Sequence, residues 1–221
     1  MKIQVAMLLL ALQLLLSACG VLPPRGASVQ SAGEANGAGS VASAALKPPV
    51  RADQGQRDAS PEAIRRFGRA NLAMEKEDWS TAIVELQWLL ENYPDLSGPC
   101  LNLALVYQHR DEADLAEQYY RYAMQINPNN LSAYNQYAVF LREQGRFSEA
   151  KQVYKEALSV WEAHPQTHLN IGILYDLYMG EQGLALKHFN RYQNLTGSKD
   201  QQVAGWIVDL ERQSMMLVGG N

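Results

Sequence analysis

The stretch AYNQYAVFLREQGRFSEAKQVYKEAL, residues 133–158, decides the fold. Tyr134, Tyr137, Ala138 and Leu141 recur at steps of three and four, the spacing of one helix face. After Gly145 the pattern resumes with Phe147, Ala150, Tyr154, Ala157 and Leu158. The same rhythm extends in both directions at a step of 34 residues: Ala70, Ala104, Ala138 and Gly172 form one series of small residues. A second series, Ala82, Ala116, Ala150 and Ala185, runs at 34, 34 and 35. Leu86, Tyr120, Tyr154 and Phe189 lie four places after its members, and Tyr107, Leu141 and Tyr175 lie three places after members of the first. Pro94 and Pro128 keep the same step, and Pro165 marks a later boundary. A fixed period of this length predicts an array in which each unit buries its apolar face against its neighbours.

The residues of 133–158 resemble the tetratricopeptide repeat (TPR), with a small residue in the middle of helix A, an alanine early in helix B and a bulky residue one turn later. The resemblance implies an all-α fold, a right-handed solenoid of about four helix-turn-helix copies at 63–96, 97–130, 131–164 and 165–198 within a repeat region of 60–198. Small residues let the paired helices approach, and the aromatic and leucine side chains fill the space to the next pair. Ser60-Pro61-Glu62 predicts the first helix start, with Ser60 as N-cap and Pro61 at the first helical position. Arg66 and Arg69 replace residues that are usually bulky or apolar, which suits an outer face in water. The second copy has HRDEAD where a turn glycine is usual, and the fourth has one extra residue near Met179–Gly183, expected to lengthen its turn. Over 199–221, Val203, Trp206, Ile207 and Leu210 form one stripe opposite Gln202, Asp209 and Arg212, so this segment reads as a capping helix and tail. Met215–Val218 add an apolar patch.

The chain begins differently. Lys2 precedes an apolar run, Val5–Leu16, that is too short for a comfortable permanent span, so residues 1–18 read as an export signal. Leu16-Ser17-Ala18-Cys19 resembles the lipobox of bacterial lipoproteins, which implies that Cys19 is lipidated and becomes the first mature residue. Gly20, where an aspartate would favour inner-membrane retention, makes the outer membrane the expected site, with the body facing the periplasm. Residues 19–59 are rich in Gly, Ala, Ser and Pro without sustained period, and read as a disordered tether. Coil scaling for about 40 residues gives a reach of roughly 35 Å.

A net charge of −4, from 19 Lys+Arg and 23 Asp+Glu, offers no basic excess for nucleic acid. The two cysteines, Cys19 and Cys100, are a poor disulfide framework, and Cys100 falls at a packing position. Phosphate loops, nucleophile elbows and paired metalloprotease histidines are missing from the sequence, so catalysis and cofactors are not expected. His164 and His168 have a metal-compatible spacing, but Pro165 between them is expected to put the rings on different elements.

Binding is instead expected on the inner, concave wall that the TPR resemblance assigns to helix A. Carried over by repeat position, that wall comprises Phe67, Asn71 and Met74; Leu101, Leu105 and Gln108; Asn135, Val139 and Arg142; and Leu169, Ile173 and Asp176. Apolar residues would supply affinity there while Asn and Gln bond a peptide backbone. The expected function is a lipid-anchored adaptor for a protein or peptide partner in the envelope. Its layout resembles the TPR lipoproteins that serve as pilotins for type IV pilus secretins. A scaffold for peptidoglycan enzymes or for a TonB-type energy-transduction complex is the alternative of the same class.

Overall fold

A computed structural model describes residues 59–219, with side chains through residue 216. The signal segment, Cys19 and the tether up to residue 58 lie outside the described residues. Every regular element described is helical. The order is α1 (Pro61–Glu75), α2 (Trp79–Asn92), α3 (Ser97–His109), α4 (Ala113–Ile126), α5 (Leu131–Glu143), α6 (Phe147–Val160), α7 (Pro165–Ile173), a π-turn (Leu174–Tyr178), α8 (Gln182–Thr196) and α9 (Gln201–Gly219). Thus α1/α2, α3/α4, α5/α6 and α7/α8 are four helical hairpins, and α9 packs on α8. No helix of the described residues is long and apolar enough to cross a membrane.

Local chemistry sets the helix starts. The Ser60 hydroxyl accepts from the Ala63 N–H at 3.2 Å, with Pro61 in the first turn, as the sequence indicates. Asp78 caps α2 through the Thr81 N–H at 3.1 Å, and Asn130 caps α5 through the Ala133 N–H at 3.1 Å. Asn130 also donates to Ser97 Oγ at 2.9 Å, which ties one repeat boundary to the previous one.

The two series of small residues form the hairpin contacts. Ala70, Ala82, Ala104, Ala116, Ala138, Ala150 and Ala185 are all fully buried, as are Leu86, Tyr120, Tyr154 and Phe189. Rings carry the core across a repeat boundary: Tyr120 lies 5.7 Å from Tyr137 and 5.5 Å from Phe140 between centroids. Val203 and Leu210 of α9 are buried, and Trp206 meets Phe189 at 5.4 Å, so α9 covers the last hairpin. Cys100 is buried, and its thiol donates to the Leu96 carbonyl at 3.9 Å.

Two expectations are corrected by the packing. Arg66 and Arg69 are not simply solvated: both bond Glu85 of α2, at 3.0 and 2.9 Å, and Arg66 lies 4.2 Å from the Trp88 ring centroid. They join the first hairpin's two helices by charge. The fourth repeat's extra residue is absorbed inside the helix, as the π-turn Leu174–Tyr178, and not in the turn. Gly145 precedes α6 by the same two positions as Gly180 precedes α8, so the turn keeps its length. Pro165 opens α7 as the sequence indicates, with His164 just outside it as N-cap and His168 inside.

Candidate functional site

The first helices of the hairpins, α1, α3, α5 and α7, carry eleven of the twelve wall residues expected from the repeat register, and Asp176 lies in the π-turn. Most are half-buried: Phe67, Met74, Leu101, Leu105, Gln108, Val139, Arg142, Leu169, Ile173 and Asp176. Asn71 is exposed. Phe67, Met74, Leu101, Leu105, Leu169 and Ile173 pack on the core and leave the remainder uncovered.

Amides link neighbouring helices along this wall. Asn102 donates to Asn71 Oδ1 at 2.8 Å, joining α3 to α1, and Gln108 donates to Glu143 Oε2 at 2.8 Å, joining α3 to α5. Between α5 and α7, Asn135 donates to Thr167 Oγ1 at 2.8 Å and accepts from Asn170 at 3.1 Å. Asn135 also donates to the Leu131 carbonyl at 2.8 Å and is only 6% exposed. Its amide is used up within the array, so the expectation that Asn135 bonds a peptide backbone is corrected: it fixes the spacing of two wall helices. Gln108 is similarly committed, because the Tyr120 hydroxyl donates to its Oε1 at 2.5 Å.

A cavity of about 380 Å³ opens between α5 and α7, lined by Ser132, Asn135, Gln136, Val139, Gln166 and Asn170, with His164 at its edge. Sequence reasoning included Asn135 and Val139 but missed Ser132, Gln136, Gln166 and Asn170. Asn170 lies 35 residues after Asn135, and that near-repeat of an amide was the available signal. Further along, the Arg142 guanidinium lies 5.4 Å from the Tyr178 ring centroid. Burial raises the pKa of Asp176 from its ordinary value.

The histidines are arranged for structure. His164 Nδ1 accepts from the Thr167 N–H at 3.3 Å, which caps α7. His168 Nε2 lies 2.7 Å from the Glu162 carbonyl and must donate to it, leaving His168 Nδ1 to accept from His188 Nδ1–H at 2.9 Å. Burial, then the proximity of His168, pushes His188 down to about 4, and burial lowers His168 also. Groups of three or more metal-ligating side chains do not occur among the described residues.

Comparison with known proteins agrees with this architecture. Residues 100–161 match the family model for YpiA-like, C-terminal tetratricopeptide repeats. The type IV pilus assembly protein PilF of Pseudomonas aeruginosa is 30% identical over 145 residues, 65% of this chain and 56% of PilF. An uncharacterized protein, ycf37 of Pyropia yezoensis, is 29% identical over 45% of this chain and 61% of its own length. The chain therefore spans little more than half the length of these curated relatives. In structure, PilF of P. aeruginosa superimposes with a TM-score of 0.62 at 26% identity, covering 74% of this chain and 72% of that one. YrrB, a TPR protein with an unusual peptide-binding site, shares the fold with a TM-score of 0.51 at 21% identity, over 64% and 72% of the two chains. Residues 100–161 thus match tetratricopeptide repeats, and the chain is similar to PilF in sequence and in structure.

Proposed function

We propose that this protein is a non-enzymatic adaptor that holds an extended segment of a partner protein along the wall of first helices, and that it serves type IV pilus assembly. The supporting observation is the joint one of a wall with half-buried apolar residues from the first helices of the four hairpins and a relation to PilF. Leu101, Leu105, Leu169 and Ile173 provide an apolar floor, and the amide links between helices hold it at a fixed spacing. A preorganised surface of this kind binds without first being ordered, which lowers the cost of association.

The proposal includes the anchor. Cys19 as a lipidated first residue would place the repeats on a tether at the outer membrane, facing the periplasm, and a captured secretin subunit would share that anchor. More than one acyl chain is needed for stable attachment, at about 0.8 kcal/mol per buried CH₂. Cys19→Ser is expected to release the protein from the membrane fraction and to leave partner capture in extracts intact.

Leu105→Asp and Ile173→Asp test the groove. Each puts a charge on the apolar floor, and each variant is expected to lose co-purification of the envelope partner while retaining its helical circular dichroism. Undiminished capture by both folded variants would reject the groove.

A further inference from the structure

One column of the repeat register changes chemistry along the wall, and it singles out Arg142. The column is Met74, Gln108, Arg142 and Asp176, each 34 residues from the next, and in the second and third repeats it meets the buried Tyr120 and Tyr154. In the second repeat the pair is satisfied, since the Tyr120 hydroxyl donates to Gln108. In the third, Tyr154 stands opposite Arg142, and arginine offers only donors, so the phenol hydrogen has no acceptor there. The Tyr154 hydroxyl and Arg142 Nε are both buried without a hydrogen-bond partner among the described residues. Burial raises the Tyr154 pKa and the Arg142 charge opposes that rise, so the two groups sense each other.

The cation itself is also uncompensated. Every other arginine among the described residues is in an ion pair with a carboxylate. Glu143, the chain neighbour of Arg142, is held by Gln108 instead. Asp176, the next member of the column, makes no ion pair with Arg142; the π-turn brings the Tyr178 ring over the guanidinium in its place. A planar cation resting on an aromatic ring, with unfilled donors and no acid, is suited to a carboxylate from outside.

From this we infer that Arg142 is the specificity residue of the wall and takes an internal Asp or Glu side chain of the captured segment. The inference rests on the groove reading above and adds to it the charge of the ligand. A side chain is favoured over a chain terminus because the wall continues on both sides of Arg142, through Leu101 and Leu105 on α3 and through Leu169 and Ile173 on α7. A segment crossing Arg142 therefore extends past it in both directions.

Arg142→Gln provides the test, because it restores the pairing seen in the second repeat. The variant is expected to melt at or above the wild-type temperature, with Tyr154 now donating to the glutamine. The probe is a phage-displayed random dodecapeptide library panned over the full chain. On wild type, enriched peptides are expected to share one aligned Asp or Glu, and changing it to Asn or Gln should weaken binding of the synthetic peptide about tenfold or more. On Arg142→Gln the same change should matter less than twofold, Arg142→Lys should fall between, and amidating the peptide C-terminus should have no effect. Enriched peptides without an aligned acid, or binding that requires a free C-terminus, would overturn the inference while sparing the groove. Enriched peptides indifferent to Leu105→Asp and Ile173→Asp, or no enrichment at all, would remove both readings.

Discussion

At the residue scale, the inter-helix turns show where the sequence departs from its own optimum. Glu77, Asp111, Gly145 and Gly180 occupy equivalent positions, and all have positive φ, from 57° to 73°. Only glycine adopts that region without a Cβ penalty, which is about 1–2 kcal/mol for other residues. The HRDEAD segment of the second repeat thus makes the same turn as the third without its glycine. Asp111→Gly is expected to raise stability by about 1 kcal/mol in urea denaturation, with Glu77→Gly similar. The opposite applies at Gly172, where an added Cβ would lie 2.6 Å from Phe189 Cε1. Gly172→Ala is expected to cost about 1–3 kcal/mol by overpacking. The His168–His188 pair adds a pH dependence. Both are buried neutral with lowered pKa values, so the unfolded chain binds protons that the folded one refuses. Their contribution is complete above pH 6.5 and is lost as pH falls toward about 4. Urea midpoints measured between pH 7.5 and 5 should fall for wild type and flatten for His188→Phe.

At the element scale, the hairpins were legible in the sequence because their contacts repeat. A small residue facing a large one every 34 positions admits few other packings, and Gly172 against Phe189 states the rule alone. What the sequence left open was how α7 accommodates its extra residue. A longer turn and a π-turn give the same residue count, and the difference depends on which arrangement keeps Tyr175 and Leu174 buried. The amide links were also hidden. Asn135 reads as a wall residue from its register, and only the approach of Thr167 and Asn170 from α7 shows that its side chain is internal. In the same way His188 lies 20 residues from His168 and meets it through the hairpin geometry of α7 and α8. At the other end of the second hairpin, Glu117 receives Arg146, Arg121 and the Tyr137 hydroxyl, and these hydrogen bonds, Arg146's first, lower its pKa to about 2. This cluster spans α4, α5 and the turn before α6. Glu117→Gln is therefore expected to loosen the boundary between the second and third repeats, read as faster amide hydrogen exchange at that boundary than in α1 and α2.

At the scale of the whole molecule, a firmly spaced wall and the proposed lipid anchor at Cys19 would act together. Rigidity and tethering are complementary: the wall is prepared for a partner before it arrives, and the tether would let it meet that partner near the membrane. The relation to PilF makes a pilus assembly role the reading to test, and the unpaired Arg142 gives that reading a chemical expectation for its ligand. The most direct measurement is photocrosslinking in intact cells, with a photoreactive residue at Leu105 or Ile173 on the wall, or at Gln118 on the exposed side of α4. The account predicts a discrete adduct with one envelope protein from both wall positions and none from Gln118. An adduct from Gln118 with none from either wall position would contradict it.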